Sequence, residues 1–294
     1  MKKYIPQLFV LGVITYLLFI IRPALFGQLG GTFKSHQVPN DYNNFEVLLS
    51  SQKDFSRTFW IPSTQRFGFY SALHPAVSSQ DFYHVASLSG VMDFLKKPNA
   101  ERLLQDSSVK YVIVPFDSEE ELFLKDRKYD EATYEKTVAQ VKKISWLKEM
   151  SGFGKIHVFE LSNSKGHFWT KDNSQISYKE INPTEYVVNL KNAKKGDLLI
   201  FSESYDNGWI ASIKNLKPKT ENSKNSTISS TNYENILNSF VLSQNGDYMV
   251  KVFYQPQEWV NIGLWVSGIT FTLVVFCLLI FGHSWFGKRK MVQL

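Results

Sequence analysis

Cysteine is nearly missing. The 294-residue chain has one, Cys277, and it lies in an apolar run near the C-terminal end. Whatever folds between the two apolar ends therefore holds by its core and not by disulfides. For an extracytoplasmic domain that fits a bacterial or archaeal cell better than a eukaryotic surface. Phosphate-cradling glycine loops, a G-x-S-x-G elbow and a Cys–His pair are also missing. The motif-borne forms of nucleotide, α/β-hydrolase and thiol chemistry are excluded with them, and no cofactor is expected. The six histidines, His36, His74, His84, His157, His167 and His283, include no pair at i, i+4, so surface or turn positions are expected and no metal. Asp117–Glu121, "DSEEE", lacks the alternating oxygens and the glycine of a calcium loop. It reads as solvated acids of a helix's first turn, with Asp117 and Glu120 as N-cap and N3 partner.

Charge excess is missing too, once its location is considered. The net charge is +6, but Lys2, Lys3, Arg22, Lys288, Arg289 and Lys290 flank or sit in the apolar ends. Without those six, 27 Lys+Arg face 27 Asp+Glu over residues 27–258. A basic pI of this origin reflects positive-inside placement, so no nucleic-acid partner is expected.

What is present starts with the ends. "YIPQLFVLGVITYLLFII" (4–21) extends to Phe26 and suffices for a bilayer crossing of about 20 helical residues. Its length and the lack of an A-x-A site favour an uncleaved anchor over a signal peptide. "VNIGLWVSGITFTLVVFCLLIFGHSWF" (260–286) contains no charged residue, and Trp259, Trp265 and Trp285 sit toward its ends as interfacial aromatics do. Basic residues outside both spans place both termini in the cytoplasm and residues 27–258 outside the cytoplasmic membrane. The tails are too short for a folded signalling module.

Between the spans the hydrophobic period changes. Residues 27–56 read as a linker and a short amphipathic helix, with Tyr42, Phe45 and Leu49 on one face. In 57–163 the strands "RTFWIP", "KYVIVP" and "GKIHVFEL" alternate with helical periods over 90–105 and 131–146, which predicts an α/β subdomain. A Gly152–Gly154 turn precedes the third strand. In 164–258 strand-like runs at 184–190, 198–204, 208–214, 238–243 and 248–254 predict a small antiparallel β-sandwich. Lys195-Gly196-Asp197, Asp206-Asn207-Gly208 and Asn245-Gly246-Asp247 separate them, and the two Asn-Gly steps favour hairpins. The polar stretch 217–232 predicts a mobile loop. Its Asn225-Ser226-Thr227 sequon is a weak three-residue match. The fold expected is α+β, membrane-anchored, with one transmembrane helix at each end (4–26 and 260–286).

"FSESYDNGW" (201–209) is the stretch richest in chemistry. Glu203 and Asp206 invite comparison with a glycosidase pair, which needs carboxylates about 5–10 Å apart across a sugar bond. Turn chemistry explains most of the same residues: Phe201 in the core, Asp206-Asn207-Gly208 as the turn, Trp209 on the next strand. Tyr205 and Trp209 remain candidates for stacking on sugar faces.

Over a longer window, "INPTEYVVNLKNAKKGDLLIFSESYDNGWIASI" and "NSFVLSQNGDYMVKVFYQPQEWVNIGLWVSGITF" carry the pattern N-P-x-x-Y … S-E-x-Y-x-x-G-W … G-x-Y-x-V-x-x-x-Y-x-P. This resembles the C-terminal end of YfhO-like and GT-C-type bacterial membrane glycosyltransferases, and the strands "FSRTFWIP", "KYVIVP" and "KIHVFEL" are similar to their outer domain. The resemblance spans most of 39–280. It implies cell-surface glycan assembly with polyprenyl-linked sugars. The catalytic acid of that group lies in a first external loop that has no counterpart here, so no catalytic residue is carried over. After Trp209 the short V-D-G hairpin of the pattern gives way to "KNLKPKTENSKNSTISSTN". The expectation is a non-catalytic accessory module touching glycan or partner through Glu203, Tyr205, Asp206 and Trp209. A polytopic membrane partner would pack on Gly263, Ser267 and Gly268. The alternatives are a stand-alone glycan-acting enzyme using Glu203 and Asp206, and a polysaccharide chain-length regulator, against which the β-rich C-terminal half argues.

Overall fold

The computed structural model describes residues 5–26, 38–62, 68–77, 79–85, 87–116, 131–172, 174–214 and 227–290. The expected cap at Asp117–Glu120, the acidic "DSEEE" run and the Asn225-Ser226 part of the sequon lie outside these residues. The chain divides into two compact units, Met1–Gly166 and His167–Leu294.

In the first unit, α1 (Ile5–Leu25) precedes α2 (Asn40–Ser51) and the strands β1 (Arg57–Trp60) and β2 (Ala76–Val77). The described apolar part of α1, Leu11–Arg22, is shorter than a bilayer crossing requires. After α3 (Ser79–Tyr83), the expected helix over 90–105 is two: α4 (Leu88–Leu95) and α5 (Ala100–Asp106). Pro98 stands between them, and a proline ring disfavours helical backbone in the residue before it. Ser87 caps α4 by accepting from the Gly90 amide at 3.1 Å, as an N-cap hydroxyl does. Strand β3 (Val109–Val114), helix α6 (Glu131–Val141) and strands β4 (Leu147–Met150) and β5 (His157–Leu161) complete the unit.

Its sheet runs β2-β1-β3-β5-β4. Strands β1, β2 and β3 are parallel, while β5 is antiparallel to β3 and β4. The near-continuous apolar run of β3 follows from burial on both faces. One face sets Trp60, Tyr111, Ile113 and Val158 against Tyr42, Phe45 and Leu49 of α2, the period-of-3.6 stripe seen in the sequence. The other carries Phe59, which meets Tyr83 edge-on at 5.7 Å, and Tyr83 stacks on Phe94 at 4.8 Å. Arg57, 2% exposed, lies between the Phe55 and Phe82 rings and donates to the Ser107 carbonyl at 3.2 Å.

The second unit holds β6 (Phe168–Thr170), β7 (Gln175–Asn182), β8 (Glu185–Ala193), β9 (Leu198–Ser204), β10 (Trp209–Lys214), β11 (Thr227–Ser229), β12 (Thr231–Tyr233), β13 (Leu237–Val241) and β14 (Gly246–Tyr254). Helix α7 (Pro256–Lys290) follows. Two antiparallel sheets, β11-β10-β14-β8-β7 and β12-β13-β9-β6, share one core. It includes Val188, Leu190, Phe201, Ala211, Phe240, Val250 and Val252. Strands β8 and β14 alternate buried with half-buried residues along their paired lengths, as sandwich strands with one inward face do.

The Asn-Gly steps do not make hairpins. Strand β9 pairs with β13 and β6, whereas β10 pairs with β14 and β11. Asp206-Asn207-Gly208 therefore carries the chain from one sheet to the other. So do Asn245-Gly246, between β13 and β14, and Lys195-Gly196-Asp197, between β8 and β9. Part of the stretch expected as a mobile loop, 217–232, forms the short edge strands β11 and β12. Its remainder lies outside the described residues. The segment Pro256–Cys277 of α7, mean hydropathy 1.9, is long and apolar enough to cross a bilayer.

Candidate functional site

The stretch 201–209 ends β9, turns and begins β10. Its shape depends on Asn238, which is fully buried. Leu237 pairs with Ser204 but Asn238 pairs with Phe201, so Ser202 and Glu203 are extra residues in β9 and the ladder breaks there. The Asn238 amide nitrogen donates to the carbonyls of Glu203 (3.0 Å) and Ser204 (2.8 Å). Its oxygen accepts from the Asp206 amide (3.1 Å) and the Ser230 hydroxyl (2.8 Å). One side chain thus replaces the missing ladder bonds.

The turn is an Asx turn: Asp206 Oδ1 accepts from the Gly208 amide at 2.7 Å. Asp206 Oδ2 accepts from the Tyr254 hydroxyl at 3.1 Å. Burial, and then the adjacent Asp206 carboxylate, hold the Tyr254 phenol above its ordinary pKa, which keeps it the donor. The Gly208 carbonyl accepts from the Gln255 amide at 2.8 Å. A Cβ at Gly208 would stand 2.7 Å from the Tyr254 ring and 2.9 Å from Pro256 Cδ, so only glycine lets the turn close on the first residue of α7. The turn is a joint between the sandwich and the apolar helix.

Glu203 turns elsewhere. Its Oε1 lies 3.7 Å from His167 Nε2, and His167 Nδ1 lies 3.1 Å from Ser202 Oγ. The imidazole sits among the rings of Phe168, Tyr178, Tyr186 and Phe201. The set has the residue types of a serine–histidine–acid site, but Ser202 is fully buried and His167 is 2% exposed. A nucleophile needs room for an electrophilic carbon beside its oxygen, and burial denies it.

Trp209 is 8% exposed and meets Phe201 edge-on at 4.9 Å inside the core. Tyr205 is 39% exposed, so it is the aromatic of the two that solvent reaches. Gly263, Ser267 and Gly268 lie on an exposed stretch of α7. A Cβ at either glycine meets nothing within 4 Å. A separate groove of about 230 Å³ between α4 and α6 is lined by Met92, Lys96, Lys136 and Gln140, among others.

Of two further histidines, His74 lies in the Ser71–His74 turn, as expected, but with its ring buried, and His157 is half-buried on β5. His74, 2% exposed, meets the Gln52 carbonyl through Nε2 (3.4 Å) and Ser56 Oγ through Nδ1 (3.0 Å). His157 Nδ1 contacts Glu149 Oε1 at 2.6 Å, and Lys142 reaches the same oxygen at 3.1 Å. Among the described residues no group of three or more His, Cys, Asp or Glu is placed to hold a metal ion. Sequence reading missed Asn238 and His167, since each acts on residues about 35 positions away and no local spacing marks it.

No protein-family model, curated protein or solved structure matches this chain.

Proposed function

We propose that this chain is a membrane-anchored, non-catalytic extracytoplasmic module that assists YfhO-like, GT-C-type assembly of cell-surface glycan. In this reading α1 and α7 both cross the cytoplasmic membrane, both termini are cytoplasmic and residues 27–258 lie outside. The exposed edge at Glu203, Tyr205 and Asp206, backed by Trp209, meets glycan, polyprenyl-linked sugar or a protein partner. The open face at Gly263, Ser267 and Gly268 receives a helix of a polytopic partner. The observation that supports the non-catalytic role is the joint itself. Asp206 is committed to the Gly208 amide and the Tyr254 hydroxyl, while Glu203 turns to His167.

The test uses Glu203→Gln and Asp206→Asn in the full chain, each of which keeps a hydrogen-bonding oxygen. Both should fold and retain function. Loss of activity with both folding and glycan or partner binding intact would instead favour the stand-alone glycan-acting enzyme. Gly263→Leu with Gly268→Leu should leave the isolated chain stable, because no described residue lies within 4 Å of a Cβ at either position, and should release a co-purifying polytopic glycosyltransferase-like partner. Retention of that partner would remove the helix-packing role.

A further inference from the structure

Several turns gather where α7 leaves the sandwich. Tyr254 donates its amide to the Thr184 carbonyl (2.9 Å), Gln255 to Gly208 (2.8 Å) and Tyr205 to Ile236 (2.7 Å). This brings the β7–β8 turn, the Asp206–Gly208 turn and the β12–β13 turn to the end of the unit marked by Pro256. The membrane-compatible segment begins at Pro256 itself, with no linker between strand and helix. A helix rises about 1.5 Å per residue, so Trp259, 74% exposed, lies only about 5 Å further along. The headgroup layer is about 5–8 Å thick on each side of the hydrocarbon. A Cβ at Gly208 would already collide with Tyr254 and Pro256, so the joint has no slack to lift the sandwich away.

We propose that this end of the sandwich rests on the lipid headgroup layer, with Ile181 and Tyr205 as its contact residues. The proposal rests on α7 crossing a bilayer. Ile181 is 49% and Tyr205 39% exposed, and exposed Asn182, Asn207 and Asn235 lie beside them. An apolar side chain, an amphipathic ring and amide donors suit the wet, half-apolar interface. The charges described at this end are Lys179, Glu180, Glu185, Glu203, Asp206, Glu234, Glu258 and Lys251, so acids outnumber the two lysines. Lys251 is paired with Glu185 at 2.9 Å, and Asp206 serves the joint. Without a basic cluster the contact draws little on anionic lipid. It is a contact with neutral or zwitterionic headgroups. The opposite end is an internal reference. The nine residues of β14, at about 3.3 Å each, set Asn245 and the adjacent Lys195 about 30 Å away. Any glycan that Tyr205 meets is then presented at the membrane surface, as a lipid-linked sugar is.

The experiment places single cysteines in a Cys277→Ser background of the full chain: Ile181→Cys, Tyr205→Cys and Lys195→Cys, with Asn207→Cys should Tyr205→Cys fail to fold. Each is spin-labelled in nanodiscs of phosphatidylcholine, with and without added phosphatidylglycerol. Collision with an aqueous nickel chelate is compared with collision with oxygen. Labels at 181 and at 205 or 207 should show several-fold less chelate access than the label at 195, in both lipid mixtures. Equal chelate access at all positions would overturn the proposal. So would protection that appears only with anionic lipid. The nanodiscs contain neither glycan nor partner, so failure here is separate from failure of the functional reading.

Discussion

Replacing Asn238 tests whether a single buried amide holds the candidate site in shape. Asn238→Ala removes two donors and one doubly used acceptor. A typical hydrogen bond contributes about 1 kcal/mol net, and a buried group left without a partner costs about 1–3 kcal/mol. The four losses are not all of that size. Ser204 and Asp206 are exposed and Glu203 is half-buried, so water can reach some of the freed groups, and the Ser230 hydroxyl can rotate. The expected cost is therefore about 2–4 kcal/mol. Asn238→Asp has almost the same shape and separates hydrogen bonding from packing. When ionised it retains the acceptors for Asp206 and Ser230 but sets a carboxylate against two carbonyl oxygens. Burial and that repulsion both raise its pKa above the ordinary Asp value of about 3.9.

The sign follows from the raised folded-state value. The penalty of Asn238→Asp is fully present above its folded pKa and shrinks as pH falls toward the unfolded value. Its stability gap from the parent should narrow between neutral pH and about pH 4, whereas the gap for Asn238→Ala should stay flat. Urea unfolding of the detergent-solubilised chain, followed by near-ultraviolet circular dichroism, reads both quantities. A cost below about 1 kcal/mol for Asn238→Ala, or parallel pH profiles for the two variants, would refute the role assigned to this residue.

Two further predictions concern the first unit. Gly154 has φ +56°, and a Cβ there would fall 2.1 Å from Asp41 Oδ1, while Asp41 Oδ2 accepts from the Lys155 amide at 2.9 Å. Gly154→Ala should cost about 2–3 kcal/mol through left-handed strain and displacement of that carboxylate. Adding Asp41→Ala should cost less than the sum of the two single changes in a double-mutant cycle. Glu149 is held below the ordinary glutamate pKa: partial burial opposes this, but the bonds from His157 and Lys142 prevail. A depressed carboxylate contributes stability above its unfolded pKa and loses it as pH falls through the folded value. Glu149→Gln should therefore cost under about 1 kcal/mol at neutral pH, because the side chain is over a third exposed. The gap should close in acid-titrated unfolding curves, and a gap that widens in acid would contradict the assignment.

Hydrophobic period made much of the fold legible. "KYVIVP" became β3 because a short unbroken apolar run suits only a strand covered on both faces. The Tyr42, Phe45 and Leu49 stripe became the buried face of α2. Strand pairing was not legible to the same degree. Asn-Gly reports that the backbone turns, but the partners of β9 and β10 lie tens of residues away, and those partners decide between hairpin and sheet crossing. Strand β4 was missed because its pattern is one buried residue followed by exposed ones. Strands β11 and β12 sit in polar sequence and depend on β10 and β13 for their hydrogen bonds. At the candidate site the sequence named Glu203, Tyr205, Asp206 and Trp209 as neighbours. Which of them water reaches depends on the core across from Phe201 and on the break in β9, and neither has a local signature.

The pattern Y-x-x-G-W … Y-x-P acquires a mechanical meaning from this geometry. Trp209 pairs with Tyr254 across β10 and β14. Gly208 has no side chain because Tyr254 and Pro256 occupy the space a Cβ would need. Asp206 ties the turn to the same tyrosine. Each of these residues takes part in the contacts that join the β-sandwich directly to a membrane-compatible helix, and none of those contacts needs a substrate to account for it. A chain that makes the same joint would carry much of the same pattern whatever reaction it served. Arguments about activity therefore rest on residues the joint does not use. Those are exposed Tyr205, the outward side of Glu203, and the face of α7 at Gly263, Ser267 and Gly268.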